Sequence, residues 1–324
     1  MTLAIERASG DAAAKPLAAQ AVRQKKNERP SWEEPPTVVG EAAKGITLGG
    51  VVLVMLVPLW IIVVTSLSTQ AAVNRAGGLV VWPDEITFEA YRVMLADSTV
   101  RSALIVSLGI TAVGTLVSMA VSVMCAYGLS RARSLGHRFL LMLLIVTMFV
   151  NGGVIPTFLV VTGLGGYGQW WALILPSAVS VFNILILRSF YSSTSVDLIE
   201  AARIDGAGDW RILWSIVLPT SRAVTAVMAL FYGVGYWNSF FNVMLYMPTD
   251  SEKWPLQYVL LTYVNRGNGM PGSVNSGFGD QFSQTAPLAL QMAVVVLTLV
   301  PLLIVYPFVQ KHFRTGVLTG AIKG

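Results

Sequence analysis

Five stretches of this chain run for 22 residues or more without an Asp, Glu, Lys or Arg: Ile46–Leu67, Ser102–Tyr127, Phe139–Leu187, Ala223–Met247 and Gln281–Val309. A helix rises about 1.5 Å per residue, so about 20 apolar residues cross a hydrocarbon core of about 30 Å. A helix also satisfies its own backbone amides where no water can. The third stretch is too long for one span. It is broken around Gly163–Gly168, where Gly163, Gly165, Gly166 and Gly168 supply turn flexibility. Splitting there predicts an all-α membrane protein with six transmembrane helices. Only 12% of the 324 residues are charged, against about 25% in a soluble domain, so lipid solvates much of the surface.

The formal net charge of +5 invites a nucleic-acid partner, but the cations lie in loops and tails between neutral stretches, not on one face of a domain. Their distribution carries orientation instead, because Lys and Arg stay on the cytoplasmic side. With both termini cytoplasmic, 17 cations fall inside: seven from Arg7 to Lys44, then Arg131, Arg133, Arg138, Arg188, Arg203, Arg211, Arg222, Lys311, Arg314 and Lys323. Only Arg75, Arg92, Arg101, Lys253 and Arg266 fall outside. None of these charges lies within an apolar stretch, which argues against proton relays and voltage sensing.

Residues 1–45 are polar, Ala-rich and punctuated by Pro30, Pro35 and Pro36. They lack an apolar core followed by a small-residue cleavage site, so they predict a disordered cytoplasmic tail, not a signal peptide. The six-helix membrane body is expected over 46–310 and a C-terminal cytoplasmic tail over 311–324. Cys125 is the only cysteine and sits in an apolar run, which predicts a packed, inert thiol. His137 and His312 flank spans and read as interfacial; neither builds a metal or catalytic centre. Outside the membrane, Gln70–Val100 predicts a short amphipathic element, and Pro248–Asp280 carries Trp254 and Tyr258 as expected interfacial anchors. No internal repeat is visible.

One loop, 193–219, carries a mechanism. Asp197 followed by Glu200 resembles a capping box and predicts a helix start. Leu198, Ile199, Ala202 and Ile204 give that helix an apolar side; Glu200, Arg203 and Asp205 give it a polar one. Gly206 and Gly208 then stop it and turn the backbone. A second short helix through Trp210–Val217 leads to Pro219. Small residues at Ala201, Ala202 and Ala207 permit close approach of a partner. On the residues alone, this is a rigid lever or a plain amphipathic interfacial helix.

Glu200-Ala201-Ala202, Gly206 six residues after the Glu, and Ile216-x-Leu218-Pro219 resemble the EAA loop of ABC import permeases. That resemblance implies a type I importer permease (MetI-like) fold and a coupling helix docked on an ATPase subunit. Glu200, Ala201, Ala202, Asp205, Gly206, Ala207 and Pro219 would be the coupling residues. Val196 departs from the proline that many relatives carry there. Asn151-Gly-Gly-Val-Ile-Pro156, Phe231-Tyr-Gly-Val-Gly-Tyr-Trp-Asn238 and Trp254-Pro-Leu-Gln257 resemble the LplC/YtcP-type group of oligosaccharide permeases. The C-terminal segment is similar to the MalG-type tail, which implies that Gln310, Lys311, Gly316, Gly320, Lys323 and Gly324 contact the ATPase subunits. The implied assembly is a second permease, two ATPase subunits and an extracytoplasmic sugar-binding protein in a bacterial inner membrane.

The chain lacks a Gly-x-x-x-x-Gly-Lys-Ser/Thr phosphate loop, so it is expected to be non-catalytic, with ATP bound on partner subunits and no metal or cofactor of its own. Polar or aromatic residues within the spans are candidate pore-lining groups: Asn151, Asn183, Tyr232, Trp237, Asn238, Asn242 and Gln291. Polar groups at membrane depth turn to the bundle interior, where they serve as interhelical glue as readily as sugar contacts. Amino-acid or peptide import, and an ATP-independent channel or secondary transporter, are the alternative functions.

Overall fold

The computed structural model describes residues 37–131, 136–150, 152–194, 196–266 and 287–321, and every regular element among them is helical. The chain divides into two units at Pro58. In the first, Thr37 starts helix α1 (Val38–Ser66): its Oγ1 accepts from the Gly40 amide at 3.2 Å and its carbonyl from the Glu41 amide at 3.0 Å. Residues 38–45, expected in the disordered tail, are therefore helical, because Thr37 supplies a cap ahead of the apolar run.

The second unit is built around α2 (Ser98–Ser130), whose start is capped by Asp97 through a 2.6 Å bond from the Thr99 amide. There follow α3 (His137–Phe149), α4 (Val154–Gly163), α5 (Val181–Ser192), α6 (Val196–Ile204), α7 (Arg222–Trp237) and α8 (Pro287–Ala321), with shorter helices between them. Among the described residues three segments are long and apolar enough to cross a membrane unaided: Val38–Ser66, Ser98–Ser130 and Leu288–Pro307. The number rises to as many as six if each of three bent pairs counts as one span: α3 with α4, Trp171–Ser177 with α5 at 53°, and Asp209–Thr220 with α7 at 87°. Gly153, with φ of +84°, permits the first bend, since a Cβ is strained there. The Gly163–Gly168 break is present, with Gly165 and Gly168 both at positive φ.

Small and hydroxylated residues spaced by four on α2 turn one face towards α7. A Cβ added at Gly114 would stand 2.8 Å from the Tyr236 ring. One turn on, Ser118 Oγ meets the Tyr236 hydroxyl at 2.8 Å; a further turn on, Ser122 Oγ meets that of Tyr232 at 2.6 Å. Both serines are buried. Without a hydrophobic drive between helices in lipid, such close approach and hydroxyl pairing hold the pair together. Trp237 faces away from this seam and donates from Nε1 to the Thr298 carbonyl of α8 at 3.0 Å.

Two expectations are corrected here. Trp254 and Tyr258 are buried, not interfacial. Trp254 Nε1 donates to the Met247 carbonyl at 2.7 Å, and its ring meets Tyr258 edge-on at 4.9 Å. An aromatic anchor and an aromatic core residue share composition, and packing decides between them. Cys125 is exposed on this chain. Ala126 beside it points into the core, so the helix turn carries the thiol outward.

Candidate functional site

The loop after α5 forms the predicted helix, elbow and second helix, with changes in detail. α6 already begins at Val196, so Asp197 lies within its first turn; the capping position falls on residue 195, outside the described residues. Gly206 has φ of +78°, and the Ala207 amide closes back on the Ala202 carbonyl at 2.9 Å. That is a left-handed helix terminus, which glycine adopts without strain. Gly208 has φ of −73°, an extended conformation open to any residue, so the turn needs only the first glycine. Asp209–Ile212 then passes into one π-helical turn, Leu213–Val217, ahead of Pro219. A proline lacks the N–H for the preceding turn, and a widened turn accommodates that gap.

The two sides of α6 are divided differently from the expectation. Ile199, Ala202 and Ala207 pack on a buried cluster that includes Leu129, Leu187, Tyr191, Leu213 and Val217. Ala202 and Ala207 are small so that α6 can lie close to its own bundle. Leu198 and Ile204, expected on one apolar side with Ile199 and Ala202, are exposed, together with Glu200, Ala201, Asp205 and Pro219. α6 is thus rooted on the bundle by one side and carries exposed apolar side chains on the other.

Polar ties fix the loop to the end of α2. The Asp209 carboxylate lies 3.5 Å from Arg203 of α6 and 4.0 Å from Arg131, and it accepts from the Tyr127 hydroxyl at 3.3 Å. Arg131 donates to the Tyr127 hydroxyl and stacks on its ring at 4.6 Å. Arg188 of α5 donates from Nε to the Leu129 carbonyl at 2.9 Å. Sequence reasoning missed Asp209, Arg131 and Tyr127, because nothing in local spacing pairs residue 131 with residue 209. A cavity of about 300 Å³ lies between α6 and these ties, lined by Glu200, Arg203, Arg131 and Tyr191.

The candidate pore residues do not form one set. Asn183 and Tyr232 share a cleft of about 370 Å³ between α5 and α7 with Ser177, Ser180, Phe231 and Ser239. Asn242 lines a second cleft of about 240 Å³ that shares Ser177, to whose Oγ it donates at 3.3 Å. Trp237 instead bonds α8, and the Asn238 carboxamide accepts from Gln257 Nε2 at 3.3 Å, so both tie helices together. Gln291 is half-buried on α8 and lines neither cleft. Asn151 lies outside the described residues. Of the C-terminal candidates, Gln310, Lys311, Gly316 and Gly320 continue α8, which runs to Ala321; Lys323 and Gly324 lie outside the described residues. Among the described residues no group of three His, Cys, Asp or Glu gathers to hold a metal ion.

Broken apolar helices around polar clefts, with an elbowed helix rooted on their bundle, define a membrane-embedded transport component. The chain belongs to the family described as binding-protein-dependent transport system inner membrane component, which residues 118–319 match. It is 43% identical over 243 residues, 75% of this chain and 84% of the relative, to the polygalacturonan/rhamnogalacturonan transport system permease protein YtcP of Bacillus subtilis (strain 168). It is 39% identical over 279 residues, 86% of this chain and 92% of the relative, to protein LplC of the same organism. Among solved structures it is similar to a bacterial ABC transporter involved in the import of the acidic polysaccharide alginate. That match has a TM-score of 0.79 and 30% identity, covering 87% of this chain and 100% of the other.

Proposed function

We propose that this chain is one of two permease subunits in an ATP-driven importer of carbohydrates, most specifically oligosaccharides delivered by an external binding protein. Family membership and the polygalacturonan/rhamnogalacturonan permease among its relatives support this reading. The observation that carries the energy-coupling part is α6: its Ile199 and Ala202 are seated on the bundle while Leu198, Glu200 and Ile204 face outward. In this reading α6 docks on one of two ATPase subunits, where ATP is held, and the Gly206 elbow passes their motion to α7. The C-terminal segment from Gln310 reaches the same subunits. The chain spans a bacterial inner membrane six times, counting each bent pair as one span, with both termini cytoplasmic. Asn183, Tyr232 and Asn242 line the permeation path; Trp237 and Asn238 hold helices around it.

The test is purification with native partners, followed by an ATPase assay in proteoliposomes with binding protein preloaded with candidate oligosaccharides. Stimulation by a saccharide class supports the reading. Uptake without any co-purifying ATPase would replace it with an ATP-independent carrier, and stimulation only by peptides or amino acids would replace the substrate class.

A further inference from the structure

We infer that the cleft between α5 and α7 is a saccharide subsite of this subunit, and that it takes uncharged sugar units in preference to uronates. The inference rests on the carbohydrate-permease reading and names the substrate chemistry of one site within it. At about 370 Å³ the cleft has the scale of a small-molecule site. Tyr232 and Tyr236 form its floor, and their hydroxyls are already engaged. The Tyr236 hydroxyl donates to the Ile174 carbonyl at 3.0 Å, so its single proton is spent and Ser118 donates to it. The Tyr232 oxygen accepts from the Ser180 amide at 3.1 Å and pairs with Ser122. What the two tyrosines offer the cleft is therefore ring carbon. Phe231 adds a half-exposed ring, while Ser177, Asn183 and Ser239 add hydroxyl and amide groups.

That combination matches a sugar, whose C–H faces lie on aromatic rings while its hydroxyls exchange hydrogen bonds with uncharged donors and acceptors. Among the described residues, no Asp, Glu, Lys or Arg lines this cleft or the second one, which shares Ser177. A uronate carboxylate entering there would lose water without a cation to pair with it. Gly235 keeps the cleft open. A Cβ there would meet nothing within 4 Å, so Gly235→Ala adds a methyl group without a clash.

The experiment reads binding without ATP, by saturation-transfer NMR on the permease with its partner subunits in nanodiscs, using maltotriose and trigalacturonate as probes. Wild type is expected to show a maltotriose signal about tenfold stronger than that of trigalacturonate. Gly235→Leu should remove most of the maltotriose signal, Gly235→Ala should retain it, and Phe231→Ala should weaken it. Thermal unfolding of each complex separates these effects from misfolding. Equal binding of the two probes, binding of neither, or an intact maltotriose signal in both Gly235→Leu and Phe231→Ala would overturn the inference. Failure of the wild type to couple ATP hydrolysis to uptake counts against the permease reading and leaves this binding result standing.

Discussion

The Tyr236 ring lies so close to Gly114 that a Cβ on the glycine would stand 2.8 Å away, and one turn on the Tyr236 hydroxyl meets Ser118 at 2.8 Å. A bare backbone and a serine, four residues apart on α2, thus receive the ring and the hydroxyl of one side chain from α7. This seam sets the spacing of α2 and α7, and α7 in turn carries Tyr232 and Tyr236 into the cleft shared with Asn183.

Gly114→Ala forces the Tyr236 ring out of place, and overpacking of this kind costs about 1–3 kcal/mol. The variant should unfold at lower temperature in detergent. Tyr236→Phe keeps the ring but leaves Ser118 and the Ile174 carbonyl unpaired, at about 1–3 kcal/mol for a buried polar group. Unfolding curves matching wild type for both variants would contradict the seam.

Gly206→Val places a β-branched residue at φ of +78°. Left-handed backbone costs an L residue about 1–2 kcal/mol, little enough for the bundle to fold. Uptake should fall while ATP hydrolysis continues. Gly208→Ala, at an ordinary φ, should leave both unchanged. Intact transport by Gly206→Val in proteoliposomes would sink the elbow assignment.

Asp209→Asn removes the charge facing Arg203 and Arg131. Both pairs are partly exposed, so stability should move by less than about 1 kcal/mol. The ratio of uptake to hydrolysis should fall nonetheless, since the loop loses its tie to the end of α2. The exchange Arg131→Asp with Asp209→Arg should recover more coupling than either single change.

Trp254→Ala opens a cavity against Tyr258 and frees the Met247 carbonyl. A core tryptophan truncated this way costs about 3–5 kcal/mol, whereas an interfacial anchor would cost far less. Expression level and unfolding temperature distinguish the two.

Deleting residues 316–324 should weaken ATPase regulation or subunit assembly, with gel filtration and basal hydrolysis as readouts. A complex unaffected in both would remove the C-terminal segment from the proposed contact.

Several parts of the molecule were legible in the residues themselves. Long uncharged runs specify helices in lipid, because length and solvation act on each segment separately. Gly165, Gly168 and Gly206 mark turns for an equally local reason: a positive φ excludes a Cβ. The EAA pattern lies within 20 consecutive residues, so the loop that carries it could be found without knowing what surrounds it. Only the tertiary structure decided which polar groups meet. Asn183 and Tyr232 share a cleft while Trp237 and Asn238 tie helices, although all four read alike as polar or aromatic groups at membrane depth. Trp254 and Tyr258 went to the core, Ala202 and Ala207 turned to their own bundle, and Asp209 found Arg131. Each of these depends on a partner brought close by helix crossing, and local periodicity holds no record of which helix lies opposite. The sequence by itself determined a helical membrane transport subunit and the place of its elbow; packing decided which of its side chains line the clefts and which hold the frame.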